Sequence, residues 1–241
     1  VSVGSTVGVS PWNSLLNVLR DMNLHTGLGL TIPNVLSTGS EIQAFDGTGG
    51  RPNLTTIIST IDTNRLLASA SQITTTQKLL GSITYSWSGG FIYEWTQTFA
   101  SEDAARYFFN TGGQVDIKPA RVGGSVTTTN TDVTALLSAV GNIQMGAATT
   151  IFTGTIGTVS SIGYYSLTGS YQTLFTATSP YANDITFSVR AQVESVTSVN
   201  GGNGTIVRMQ ALYGSTNTVD GTLSTTISEI KSSGVFNITG A

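Results

Sequence analysis

The chain has no cysteine and a single histidine. Disulfides, zinc–thiolate centres and cysteine nucleophiles are excluded at once. A multi-histidine metal site is equally out of reach, and a Ser-His-Asp triad would have to use His25, with no G-x-S-x-G elbow to supply its serine. Charge is the next scarcity. Charged residues make up 10% of the 241, with Lys+Arg 10 against Asp+Glu 13 and a net charge of −3. About 25% is usual for a globular protein. Nothing here resembles the basic footprint of a nucleic-acid binder. No run approaches the roughly 18 apolar residues of a membrane span, so neither nucleic acid nor membrane insertion is expected. The start, VSVGSTVGVSPW, lacks a basic segment followed by an apolar one, so no secretory leader is expected.

Ser, Thr, Asn, Gln and 28 glycines take the place of the missing charge. Hydroxyl and β-branched side chains suit the exposed faces of strands. They also suit surfaces that other chains cover, where a stranded charge would cost several kcal/mol. Asn53, Asn203 and Asn237 sit in glycosylation-type triplets, which a threonine-rich chain produces by chance.

The N-terminal part reads as helical. Ser10-Pro11 suggests a cap and first helical position, Trp12, Leu15, Leu16, Leu19 and Met22 form one stripe, and Gly27 is a stop. A second helix is expected from near Pro52 to Asn64–Leu67, with Leu54, Ile57, Ile58 and Ile61 as its stripe. Residues 1–75 are thus an arm and helical module serving as a docking element or cap, and 76–241 a β-sandwich.

From 81 onward the period changes to two. Ile83, Tyr85 and Trp87 alternate with hydroxyls, and Phe91, Tyr93 and Trp95 alternate in the next run. Reading Gly89-Gly90 as a hairpin turn, a two-residue loop would point the two aromatic faces apart. A three-residue bulged loop over 89–91 pairs Trp87 with Tyr93, so that turn is expected. Ser101 caps a short helix, with Glu102 and Asp103 as helix-start charges, Ala105, Phe108 and Phe109 buried, and Gly112 at its end. A strand at 114–121 contains Pro119, which suggests a sheet edge or strand end. A further short helix is capped by Asn130 or Thr131, buries Val133, Leu136, Leu137 and Val140, and stops at Gly141. Strands follow at 171–178, 184–195, 205–213 and 222–231, while 141–170 has no usable periodicity. The fold class expected is mainly β: an antiparallel β-sandwich with an N-terminal helical pair and two short inserted helices.

No catalytic, cofactor or metal residue is assigned. Glu94, Asp116, Glu194 and Glu229 sit on strands, where they read as solvent-face residues rather than a hydrolytic pair. Asp46, Asp184 and Asp220 lie in or near loops without the spacing of a calcium loop. Trp87, Tyr93 and Trp95 could stack on a sugar, but their alternation places them in the core. Tyr164, Tyr165, Tyr171, Tyr181 and Tyr213 are the better candidates for a contact surface.

One family resemblance spans nearly the whole chain. ARYFFNTGGQVDI…ARVGG at 105–124 and TTNTDVTALLSAVG at 128–141 resemble virion structural proteins of tailed phages of the myovirus and cyanophage type. TIDTNRLLAS at 60–69, Leu24-His25-Thr26-Gly27, Ser179-Pro180-Tyr181 and Val219-Asp220-Gly221-Thr222-Leu223 extend it, and the likeness thins between 142 and 170. The resemblance implies a non-enzymatic bacteriophage structural protein of the virion, of the tail, baseplate, neck or a fibre. It would be a homo-oligomer contacting other virion proteins. The alternative is a fibre module that binds host surface glycan.

Overall fold

The computed structural model describes residues 8–39, 53–64, 73–78, 83–84, 86–182, 184–197, 202–231 and 234–236, with side chains described in 8–39, 53–64 and 86–223 within those ranges. The chain divides into two units, Val1–Leu67 and Ala68–Ala241.

In the first unit, α1 (Val9–Thr26) is capped by Gly8, not Ser10, so Pro11 falls inside the first turn, where its missing N–H costs nothing. Gly27 ends the helix in the left-handed conformation, φ 66°. α2 (Leu54–Asn64) starts where Asn53 Oδ1 accepts from Thr56 N at 3.0 Å. Between them, residues 28–36 run back along α1. Asn23 and Asn13 each pair with one residue of this strap as a peptide group would. Asn23 donates to Leu30 O (3.0 Å) and accepts from Leu30 N (2.9 Å); Asn13 does the same with Leu36, both at 2.8 Å. Leu28, Leu30, Ile32 and Leu54 thereby close over Leu19, Ile57 and Ile61. Leu15, Val18, Met22 and Ile58 stay exposed.

The second unit is two antiparallel sheets. The first runs β1 (Ile73–Lys78), β3 (Trp87–Phe99), β10 (Ile206–Val219), β9 (Thr186–Glu194), β8 (Gln172–Thr178), β7 (Thr158–Val159). The second runs β12 (Gly234–Phe236), β11 (Thr222–Lys231), β4 (Gln114–Val122), β5 (Ile143–Met145), β6 (Thr150–Phe152), with β2 (Ile83–Thr84) also on β11. The short strands β5 to β7 and a 3₁₀ turn at Tyr164–Ser166 occupy the stretch without periodicity. α3 (Glu102–Asn110) and α4 (Thr128–Val140) are the two inserted helices. One core unites both sheets and both helices, from Trp95, Phe187 and Met209 to Ile117, Ile143, Phe108 and Leu136.

The expected hairpin at 89–91 does not form. Trp87–Phe99 is one continuous strand, paired along its length with β10. The physical reason is phase. Trp87, Phe91, Tyr93 and Trp95 are all odd-numbered, so one unbroken strand already puts them on one face and no turn is needed. Gly89, at φ 84°, serves a bulge instead: Ser215 pairs with Gly89 and Val219 with Trp87, so Thr216, Asn217 and Thr218 oppose Ser88 alone. Tyr93 and Trp95 are buried and Trp87 packs on the core.

β2 and β3, followed by β10 and β11 on the other side, form a two-stranded ribbon that passes from one sheet into the other. Thr84 pairs with Thr222 in the second sheet, and Trp87 with Val219 in the first. Such corner strands are how sandwich sheets are joined. Pro119 sits on a strand that is interior in the sheet, but β5 pairs only Val115–Ile117, so at Pro119 the strand has β11 alone. α4 is capped by Thr127, whose hydroxyl accepts from Asn130 N at 3.2 Å, rather than by Asn130 or Thr131. Asn130 is left for another task.

Candidate functional site: polar clasps and the open sheet face

The ribbon turns its corner at Asp220-Gly221, and four polar side chains hold it there. Arg121 Nε donates to Asp220 O at 2.7 Å and Nη2 to Asp220 Oδ1 at 3.3 Å. Ser125 contributes its N–H (3.0 Å) and hydroxyl (2.8 Å) to the same carboxylate. Asn130 donates to Asp220 Oδ1 and accepts from Asp220 N at 3.1 Å. Arg121, itself buried, continues to Asn130 O and Thr134 Oγ1 at 3.3 and 3.0 Å. Gly124 is required, because a Cβ there would lie 2.6 Å from Asp220 Oδ1. Hydrogen bonds from Ser125, first of all, hold the Asp220 carboxyl below its usual range.

A second clasp anchors the connection between β9 and β10. Glu102 is buried, and its carboxylate accepts from Thr197 N, from Thr197 Oγ1 at 2.6 Å and from Gly204 N at 3.1 Å. It is therefore more than a helix-start charge. Tyr164 OH donates to Gly204 O at 2.7 Å, and Asn203 Nδ2 donates to the carbonyls of Tyr164 (2.6 Å) and Leu167 (2.9 Å). Tyr164 also stacks on Phe109, centroids 4.4 Å apart at 13°. Burial pushes its phenol well above the ordinary value, so it remains a donor.

The outer face of the first sheet carries a charged cluster. Glu94 and Glu194, which read as solvent-face residues, share Arg208: Glu94 Oε1 lies 3.4 Å from Nη1, while Glu194 takes Nε at 2.9 Å and Nη2 at 3.1 Å. Gln210 and Tyr171 (2.8 Å) donate to Glu94, and Arg190 lies 4.9 Å over the Tyr171 ring. Glu94 is lowered mainly by Gln210, and Glu194 mainly by Arg208. Acid catalysis needs a carboxyl held protonated; this arrangement holds both carboxylates ionised. Because the folded values lie below the unfolded ones, their contribution is complete above about pH 4.5 and fades as the pH falls through the folded values. We expect acid titration to destabilise the domain below that point and Glu94→Gln to flatten the acid limb; an unchanged limb would mean that Glu94 contributes nothing to it.

The structure separates the other sequence candidates. Tyr164 and Tyr213 are core residues, Tyr171 is half-buried, and only Tyr165 and Tyr181 are exposed, the latter at 76%. Asp116 is buried and accepts from Asn142 Nδ2 at 3.1 Å. Asp184 faces Thr216 and Asn217, with Thr216 Oγ1 at 2.6 Å and Asn217 Nδ2 at 3.1 Å. His25 is exposed in the last turn of α1. Asp46 lies outside the described residues, as does the side chain of Glu229. Among the described residues no cluster of three or more potential metal ligands occurs, and no helix is long and apolar enough to cross a membrane.

No protein family, curated protein or solved structure matches the chain. Its geometry must therefore speak through its own motifs. ARVGG and TTNTD, neighbours in sequence, meet VDGTL, 90 positions on from Asn130, in the Arg121–Asn130–Asp220 clasp. RYFFNTGG supplies Phe108 and Phe109 to the core and Asn110 to Tyr165 OH at 2.8 Å. Gly113 completes it, since a Cβ there would lie 2.5 Å from Phe108 O. Sequence reasoning missed Glu102, Arg121 and Asn130 as a set.

Proposed function

We propose that this chain is a bacteriophage virion structural protein, a component of the tail, baseplate, neck or a fibre, acting by self-association and contact with other virion proteins. The observation that carries the reading is the convergence of the separated motifs on the corner clasp. Residues that give the chain its likeness to tailed-phage virion proteins hold the architecture together, and their polar groups are spent on one another. A surface poor in charge and rich in hydroxyls is suited to being covered by neighbouring chains. The first unit adds an apolar surface: Leu19, Met22, Ile58 and Ile61 line a groove of about 490 Å³ between α1 and α2. The glycan-binding alternative loses Tyr164 to the core and has the Tyr171 ring covered by Arg190.

Mass spectrometry of purified particles of the encoding phage, with gold-labelled antibody on the same particles, tests this. The expected result is the chain present in multiple copies, with label at one fixed position. A chain made during infection yet missing from particles would overturn the reading.

A further inference from the structure

Two needs of the second clasp meet in one dipeptide, Asn203-Gly204. Position 203 must donate twice, because Asn203 Nδ2 bridges Tyr164 O at 2.6 Å and Leu167 O at 2.9 Å. A short side chain with two donors on one nitrogen is a carboxamide. Position 204 must be glycine: its φ is 95°, and a Cβ there would lie 2.6 Å from Glu194 O. The clasp therefore dictates asparagine followed by glycine. That pair cyclises readily, because no Cβ shields the attacking nitrogen.

The reaction needs only water. Gly204 N bonds to Asn203 Cγ, the Cγ–Nδ2 bond breaks, and the Gly204 amide proton leaves with the side-chain nitrogen as ammonia. Water then opens the ring, giving aspartate or isoaspartate at position 203. In the closed clasp both reacting groups are engaged elsewhere. The two carbonyls fix the carboxamide, and Gly204 N donates to Glu102 Oε1 at 3.1 Å. The backbone on either side is held as well: Tyr164 OH accepts from Asn203 N at 3.1 Å and donates to Gly204 O at 2.7 Å. Ring closure has to turn the dipeptide out of these contacts, so it waits for a local opening.

We propose that Asn203 is a deamidation site that works as a one-way latch: the closed clasp preserves its side-chain amide, an opening exposes it to cyclisation, and the modified chain does not close again. Neither product restores the closed state. Aspartate puts a carboxylate, which has no donor, against the two carbonyl oxygens that the amide bridged. Isoaspartate adds a methylene to the main chain between the N–H held by Tyr164 and the N–H held by Glu102. The latch belongs to the single chain and is independent of the self-association reading above.

The full chain supplies the test. Samples are aged in mildly alkaline buffer, with and without urea, and digested at intervals. Fragment masses separate Asn203 from Asn200, which also precedes a glycine. Asn203 should be lost about a hundredfold more slowly in buffer than in urea, the scale set by breaking several hydrogen bonds at once. Tyr164→Phe removes two of those bonds and should raise the rate in buffer about tenfold. Asn203→Asp supplies the product directly and should lower the melting temperature by about 5 °C. Equal loss in buffer and in urea overturns the latch, as does Asn203→Asp melting with the unaltered chain. A folded Tyr164→Phe chain that loses the amide no faster places the protection outside the clasp and overturns it too. Should Tyr164→Phe fail to fold, the other two measurements decide.

Discussion

Phe109→Ala is expected to be the most damaging single substitution in the second unit, lowering its stability by about 4 kcal/mol. The side chain is 2% exposed. It stacks on Tyr164 and meets Phe108 edge-on at 5.0 Å and Phe99 at 5.7 Å. Truncation removes the buried area and leaves a void bounded by three rings, none of which can follow it. Tyr164 cannot collapse inward, because its hydroxyl is tied to Gly204 O and its backbone carbonyl to Asn203. The loss should appear as a fall of about 10 °C in melting temperature for a domain of this size. It should also appear as faster amide exchange at Asn203, whose N–H donates to Tyr164 OH at 3.1 Å. A loss below about 1 kcal/mol, the ordinary effect of a substitution at an undistinguished site, would show that the aromatic cluster does not anchor the second unit's core.

The second large effect is expected at Arg121. Its guanidinium is buried and reaches Asp220 O, Asp220 Oδ1, Asn130 O and Thr134 Oγ1. Arg121→Ala strips donors from several acceptors at once and leaves the carboxylate beside a cavity. A cost of about 3 kcal/mol follows from unmaking a buried charged hydrogen-bond set. Arg121→Lys is the sharper experiment. Lysine keeps the charge but has no planar fork with which to reach α4 and the corner together. It should recover less than half of the loss, and amide exchange at Ser125 and Asp220 should stay fast. Lysine matching arginine in urea denaturation would reduce the clasp to simple charge pairing.

Secondary-structure periodicity was legible wherever one face is buried. Ile185, Phe187, Val189, Ala191 and Val193 alternate in the sequence and are all buried, and Thr222–Lys231 has the expected bounds. What failed was the meaning of Gly89-Gly90. Two glycines between two alternating runs carry a turn signal, yet the runs share one parity, and that shared phase is the mark of an unbroken strand. The tyrosines failed differently. Tyr164 lies in a stretch rich in glycine, serine and threonine that looks like a surface loop, and composition does not record its burial in the core; Tyr213 falls at the end of the expected strand 205–213, but β10 runs on to Val219 and Tyr213 shares the inward parity of Val207, Met209 and Ala211. The clasps were hidden for a third reason. Glu102 and Asn130 each had a sufficient local explanation, as helix-start charge and as cap, while their partners lie 95 and 90 positions away. Capping geometry satisfies a local rule, and nothing within a few residues reports a contact across the fold.

The corner ribbon has a consequence for how the chain is made. Its two halves are remote: Tyr93 OH bonds Leu223 O across 130 positions, and Gln210 bonds Glu94 across 116. At about 5–20 residues per second, on the order of ten seconds separate the synthesis of Phe99 from that of Ile206. Through that interval the aromatic strand Trp87–Phe99 exists without the neighbour that covers its β10-facing edge. Pairings of such long span form slowly and leave their edges open to the wrong chain. The nascent chain is therefore most vulnerable to mispairing at the very strand around which the finished sandwich is built, and expression at lower temperature or with a strand-shielding chaperone should raise the soluble yield.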